Sequence, residues 1–411
     1  MRMHPQIRSM VCRVACVAIL AIWGICAALP ASAVAAQVRI GVLRVDRPVL
    51  VPVSRFDAKP DDLGFAGGML GNDDNQTTGS FLGHEYVLET RAIPPDETQE
   101  GVRSLTDNGA VFLVVLGTGD DVLTAADAAG PDVLVFNAGA PDANLRDTDC
   151  RANLFHVAPS RAMLADAIAQ FLVWKKWDRW LLIEGSNPDD GKLAGAYRRA
   201  AAKFGAQIVD ERVFEDTGGS RRADSGIVLV QRQVPVFTQK APDHDVIVAA
   251  DESDVFALYL PYHSWEPRPV AGSGGLRPVN FDATIEAWGA TQFQGRFEKL
   301  AGRYIHPEDY NVWLASRVIG EAVTRTSSAD PRKVRDYLLS DEFELAAFKG
   351  QKVTFRPWNG QLRQPILLTD SKITVSVSPQ DGFLHQRSPL DTMGLDQPES
   401  ACTAFQTRSN P

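Results

Sequence analysis

A repeated alternation of short apolar strands with segments of helical period constrains this chain more than any other feature. Residues 38–45 (VRIGVLRV) read as a strand, and 62–82 carries Leu63, Ala66, Gly67 and Leu70 at near-helical spacing. Strands follow at 86–93, 111–116 (VFLVVL) and 133–136, with helices at 96–107, introduced by Pro94 and Pro95, and at 123–129. Strands that are apolar throughout need cover on both faces, which a parallel sheet flanked by helices supplies. The pattern then restarts. Helix 161–174 places Met163, Leu164, Ala167, Ile168, Phe171 and Leu172 on one stripe, strand 180–184 follows, and helix 190–204 stops at Gly205. Strands at 207–214, 227–231 and 246–250 continue the series, so two successive α/β units are expected.

A stretch rich in glycine, 272–280, separates the second unit from helices at 288–304 and 313–326, after which 343–370 returns to extended structure. A chain that leaves one unit, builds a second and comes back predicts two hinged lobes with a cleft between them. The boundaries read as 37–154 for the first part of lobe one, 155–280 for lobe two, 281–342 for helices returning to lobe one, and 343–411 for the final crossing strands and tail.

The N-terminus sets the compartment. Arg2, Arg8 and Arg13 precede an apolar run over 14–29, and Pro30 leads into two A-x-A choices at 31–33 and 33–35, the pattern of a secretory signal peptide over 1–36. The run is shorter than the roughly 20 residues a spanning helix needs. The expected product is a soluble periplasmic protein. Removing three arginines and no acid from a chain of net charge −9 leaves −12, and no Lys/Arg cluster compensates, which argues against nucleic-acid binding. Cleavage also removes Cys12, Cys16 and Cys26. Cys150 and Cys402 remain, an even pair in an oxidising compartment, and a disulfide is expected; the alternative is two buried thiols, because sequence does not give their separation.

The common catalytic signatures are missing: no G-x-x-x-x-G-K-[ST], G-x-S-x-G, H-E-x-x-H or C-x-x-C is present. The six histidines beyond the leader stand singly, so no catalytic residue and no metal or cofactor site is assigned. Asn72-Asp73-Asp74-Asn75 gathers oxygen atoms, but calcium loops space their acids at alternate positions, and a solvated helix end is the simpler reading. Gly117-Thr118-Gly119 follows a strand without the third glycine of a dinucleotide loop, Val122 standing in its place; it reads as a turn offering backbone N–H groups to a ligand. Of Trp265, Trp288, Trp313 and Trp358, at most one is expected to touch ligand.

The segment 153–160 (NLFHVAPS), the helix after it and the strand at 180–184 resemble the first lobe crossing of type I periplasmic binding proteins of the branched-chain amino acid class. Residues 74–82 (DNQTTGSFL), 265–270 (WEPRPV), 288–292 (WGATQ), 355–365 (FRPWNGQLRQP) and the tail 376–388 with Cys402 resemble a subgroup. It comprises the ABC-transporter substrate-binding proteins associated with pyrroloquinoline quinone (PQQ)-dependent alcohol dehydrogenase systems. The resemblance implies a venus flytrap: an α/β protein of two doubly wound parallel-sheet lobes joined by a hinge. Such a protein, a monomer and not an enzyme, closes on a small molecule and passes it to an ABC permease of the inner membrane. The alternative keeps the fold as a sensor or docking partner of a membrane receptor or dehydrogenase. Amino-acid-binding relatives carry hydroxyls after the fourth strand where this chain has Asn137-Ala138-Gly139-Ala140, and an acidic-Tyr-Gly run where it has 187–191 (NPDDG). By position, Gly117, Thr118, Asn137, Ala138, Gly139, Gly185, Ser186, Asp251 and Glu252 should line the cleft, with Trp265 as a further candidate. Asp251 and Glu252 close an apolar strand and suit a ligand donor or cation, or a plain helix cap.

Overall fold

The structure is a computed structural model that describes residues 36–48, 58–216 and 230–406. Residues 1–35 of the expected signal peptide lie outside the described residues, its last residue, Ala36, opening β1; the 227–229 part of the strand expected at 227–231 lies outside them too. In chain order the elements are β1 (Ala36–Val45), α1 (Phe65–Leu82), β2 (His84–Ile93), α2 (Thr98–Asp107), β3 (Phe112–Leu116), α3 (Gly119–Ala129), β4 (Leu134–Asn137) and β5 (Leu154–His156). Then come α4 (Arg161–Trp174), β6 (Arg179–Gly185), α5 (Pro188–Phe204), β7 (Gln207–Phe214), α6 (Val230–Thr238), β8 (Val246–Ala250), β9 (Val270–Gly272) and β10 (Arg277–Val279). The chain ends with α7 (Ala290–Ala301), α8 (Pro307–Thr326), α9 (Pro331–Leu338) and the short strands β11 (Leu345–Ala346), β12 (Lys352–Phe355), β13 (Leu362–Arg363), β14 (Ile366–Thr369) and β15 (Thr374–Ser378).

Two parallel-sheet lobes result, one on strand order β2-β1-β3-β4-β5 and one on β7-β6-β8-β9. In each, alternate side chains of the central strands enter opposite cores, as a pleated strand buried on both faces requires. Val42, Val114 and Leu134 join the core under α1 and α8, while Leu43, Val115 and Val135 join the one under α2 and α3. Leu182 and Val248 pack with α4 and α5, and Ile183 and Ile247 face α6. A small antiparallel sheet, β10-β14-β15, lies between the lobes. Its central strand shares itself out by the same period of two: Ile366 and Leu368 pack into the second lobe's core and Leu367 into the first's.

Helices α1 and α8 are pressed together through glycine. A Cβ on Gly67 would sit 1.9 Å from the Asp309 carbonyl oxygen, so only a residue without one permits this approach. The Asn72–Asn75 cluster lies within α1 and not at a helix end: Asn75 is buried and its Nδ2 donates to the Ser316 carbonyl, and Asp74 Oδ2 accepts from Trp313 Nε1. Neighbouring α8 supplies the partners that the cluster was expected to find in water.

Three further expectations are corrected. Val230 and Gln231, expected in a strand, open α6, since a short apolar run does not by itself distinguish the two periods. The segment 272–280 is not a plain linker, because β9 ends in it at Gly272 and β10 lies wholly within it. Helix α3 starts four residues before the expected 123, at Gly119, with Thr118 as its N-cap. Cys150 and Cys402 form the expected disulfide, Cα–Cα 5.7 Å, tying the tail to the loop before β5. No helix among the described residues is long and apolar enough to cross a membrane.

Candidate functional site

In the first lobe the strand order reverses between β1 and β3, and at such a switch point the loops diverge and leave a crevice beyond the strands' carboxyl ends. A cleft of ≈ 1190 Å³ opens there. One wall is Asp46 and Arg47 after β1, Gly117 to Asp120 after β3, and Gly139 and Asp142 after β4; Arg161 from α4 and Asp189, Lys192 and Arg199 from α5 face it. Six basic and six acidic side chains line the cleft, and no aromatic ring does among the described residues.

The first wall is held by Asp121. Its carboxylate accepts from Arg47 Nη2 (2.7 Å) and Nε (3.1 Å), and from the Thr118 amide (2.9 Å) and Oγ1 (2.7 Å). Burial works to raise the Asp121 pKa, but Arg47 and Thr118 outweigh it and hold the carboxyl low. The Thr118 hydroxyl also accepts from the Asp121 amide, closing a capping box for α3.

The facing wall centres on Arg161, whose side chain is 8% exposed. It donates to both Glu252 oxygens (2.9 and 2.8 Å), to Asp142 Oδ1 (2.8 Å) and to Asp189 Oδ1 (3.4 Å). Lys192 Nζ adds contacts to Asp189 (2.9 Å) and Asp142 (3.4 Å). Asp142 belongs to the loop after β4, so these pairs cross the cleft from one lobe to the other. Burial would raise Asp142, yet Arg161 and Lys192 bring it below its ordinary value; Glu252 goes the other way, because burial exceeds what Arg161 returns. Arg199 binds Asp166 and the Ala162 carbonyl, while its Nε and Nη1 have no partner among the described residues.

Of the residues expected to line the cleft, Gly117, Thr118 and Gly139 do so. Asn137 and Ala138 are buried beneath it: Asn137 Oδ1 accepts from the Gly139 and Ala140 amides, shaping the loop that the cleft uses. Gly185, Ser186, Asp251, Glu252 and Trp265 do not line it. All but Trp265 surround the second lobe's switch point, between β6 and β8, which its own carboxylates seal. Asp190 accepts from the Asn187 and Ser253 amides and presses so close that a Cβ on Gly185 would meet its Oδ2 at 2.3 Å. Asp251 accepts from the amides of Val255, Phe256 and Ala257 at 2.7–2.9 Å, the capping role that the sequence left open. Glu252 is taken by Arg161. Ser186 Oγ accepts from the Asp216 amide, and Trp265 stands on the surface, 56% exposed.

Sequence reading missed Asp142, Arg161, Lys192 and Arg199. One signal was available: Arg161 opens a helix, where the macrodipole favours acids, and a cation placed there needs nearby carboxylates. The stripe Asp189, Lys192, Ala196, Arg199 reads as an ordinary solvated helix face.

Residues 78–221 match the family model described as periplasmic binding protein. A periplasmic binding protein from Burkholderia mallei superposes with TM-score 0.64 at 14% identity, covering 90% of this chain and 99% of that one. This is the periplasmic-binding-protein fold. A branched-chain amino acid ABC transporter periplasmic ligand-binding protein from Burkholderia xenovorans shares it with TM-score 0.66 at 16% identity (90% and 100% covered). A solute-binding protein from R. palustris, in complex with benzoate, does so with TM-score 0.62 at 10% identity (89% and 99%). No curated protein matches the sequence. Within this fold the chain departs from symmetry, since one lobe leaves its switch point open and the other closes its own.

Proposed function

We propose that this is the periplasmic solute-binding component of an ABC importer, exported by its 1–36 signal peptide and acting as a monomer that delivers cargo to an inner-membrane permease. The observation that carries the reading is the cleft at the first lobe's switch point, walled on its far side by the second lobe. A ligand touching both walls stabilises only the closed arrangement, which is how such a protein signals occupancy. Residues 37–154 and 281–342 make one lobe, 155–280 the other, and 343–411 the last crossing.

The sequence strings that resemble the PQQ-associated subgroup point the cargo toward quinone-dependent alcohol oxidation. The lining narrows it further. Balanced charge, with no aromatic ring among the described lining residues, favours a small polar solute, an alcohol or its acid, over the flat quinone. Gly117, Thr118 and Gly139 offer backbone and hydroxyl groups on one side, and on the other stands Arg199, two of whose nitrogens, Nε and Nη1, are buried without a partner among the described residues.

The test is a thermal-shift and calorimetric screen of mature protein against short alcohols, their acids, PQQ, calcium and lanthanide ions, and branched-chain amino acids. Ligand at 100 times its Kd should add about 2.7 kcal/mol. A hit among alcohols or acids, with uptake of that labelled solute lost on gene deletion, supports import. Unchanged uptake would turn the reading to a docking partner or sensor, and a hit with amino acids alone would overturn the cargo.

A further inference from the structure

Beside the cleft, sharing Ala143 and Leu395 with it, lies a second, partly enclosed space of ≈ 10 Å³, lined also by Arg146, Ser160, Arg356, Asn359 and Gln361. That volume is about what one water-sized body needs, and so suits a monatomic ion better than sulfate, phosphate or a carboxylate. Two guanidinium groups border it, and both are buried: Arg146 is 2% and Arg356 1% exposed. Arg146 spends four of its five N–H groups on the carbonyls of Ala140, Asp142 and Ala158 and on Gln361 Oε1. No carboxylate is among those partners. Arg356 also uses four, on Asp391 and the carbonyls of Leu390, Met393 and Leu395.

The local charge does not balance. Asp391 is the one carboxylate bonded to Arg356, and Arg363 shares it at 2.8 and 3.0 Å. Asp142 has its carboxylate committed to Arg161 and Lys192, and Asp396 to His385. Burial pulls the Arg146 pKa down to about 9, the direction expected of a cation short of counter-charge. Ser160 Oγ accepts from the Met163 amide, which leaves its hydrogen for an occupant. A water would satisfy the spare donors but not the surplus positive charge, and buried charge without a partner is costly.

We propose that this space is a binding site for a single halide ion, chloride in the cell, held between Arg146 and Arg356 with Ser160 as a third donor. The ion joins four segments: the loop after β4, the start of α4, the turn between β12 and β13, and the tail at Leu395. It therefore pins the place where the chain crosses between lobes, whatever the cleft carries.

Crystals of the mature protein grown in sodium bromide, with data collected at the bromine edge, test it directly. The expected result is an anomalous peak within about 3.5 Å of both guanidinium groups. In solution the melting temperature should rise about 1–2 °C for each tenfold increase in chloride or bromide, and not in gluconate of matched ionic strength. Arg146→Gln should abolish that halide dependence. No bromine peak, or equal melting in halide and gluconate, overturns the site. A peak without any halide effect on melting marks an adventitious ion only and overturns it too. Should Arg146→Gln fail to fold, the two wild-type measurements decide.

Discussion

The two lobes are built on the same plan, yet their switch points have opposite fates. In the first, β1 and β3 part over an open cleft, and Asp121, buried behind its wall, is held low by Arg47 and Thr118. In the second, Asp190 and Asp251 fold back onto backbone amides and close the gap between β6 and β8. The difference teaches that a switch point supplies an opportunity and side chains decide its use. Asp121 and Asp190 each accept from the N-cap amide of their own helix; Asp121 adds Arg47, whereas Asp190 reaches the Ser253 amide in the loop after β8 and so ties the two sides of its crevice together. The second lobe consequently meets the cleft with helix faces, α4 and α5, and its part there is electrostatic.

Breaking the seal should have the largest effect. Asp251→Ala strands three buried amides and is expected to cost about 3 kcal/mol or more in urea denaturation, with the first lobe's cleft residues unperturbed by NMR. Gly185→Ala forces a methyl against Asp190 and should cost about 1–3 kcal/mol, read as a lower denaturation midpoint at unchanged slope. A loss below 0.5 kcal/mol in either would mean that the second switch point is not closed in solution. The smallest effect, and the sharpest comparison, is in titration. Glu252 is raised above 4.5 and Asp142 lowered below 3.8, so acidification should protonate Glu252 first while Asp142 still pairs with Arg161. Asp142 then contributes stability above pH 3.8 that is lost as pH falls through its folded value. Glu252 contributes stability below pH 4.5 that is lost as pH rises through its own folded value. Carboxyl carbon NMR gives the order, and the reverse order would refute the assignment of the cross-cleft pairs.

Most of the α/β alternation was legible because both sheets are covered on two faces, which leaves runs such as VFLVVL with no polar residue to mistake. The disulfide was legible from cysteine count and the expected oxidising compartment, and the 5.7 Å Cα–Cα separation decides it against two buried thiols. What sequence could not give was the destination of polar side chains. Asp251 and Glu252 stand at the right end of the right strand, but whether an acid faces ligand, a loop amide or a distant arginine depends on partners 91 positions away, as Arg161 is from Glu252. Asn137 was placed at the site and proved to shape it from below. The glycines of α1 read as small residues on a helix, and only the proximity of α8 gives them meaning.

The bridge from Cys150 to Cys402 has a mechanical consequence. It closes a loop of 252 positions that holds the whole second lobe and the passages of the chain between the lobes. Stretched from its two ends, an oxidised molecule pays out only the chain before Cys150 and the few residues after Cys402. About 850 Å of contour stays out of reach of the force until a reductant cuts the sulfur link.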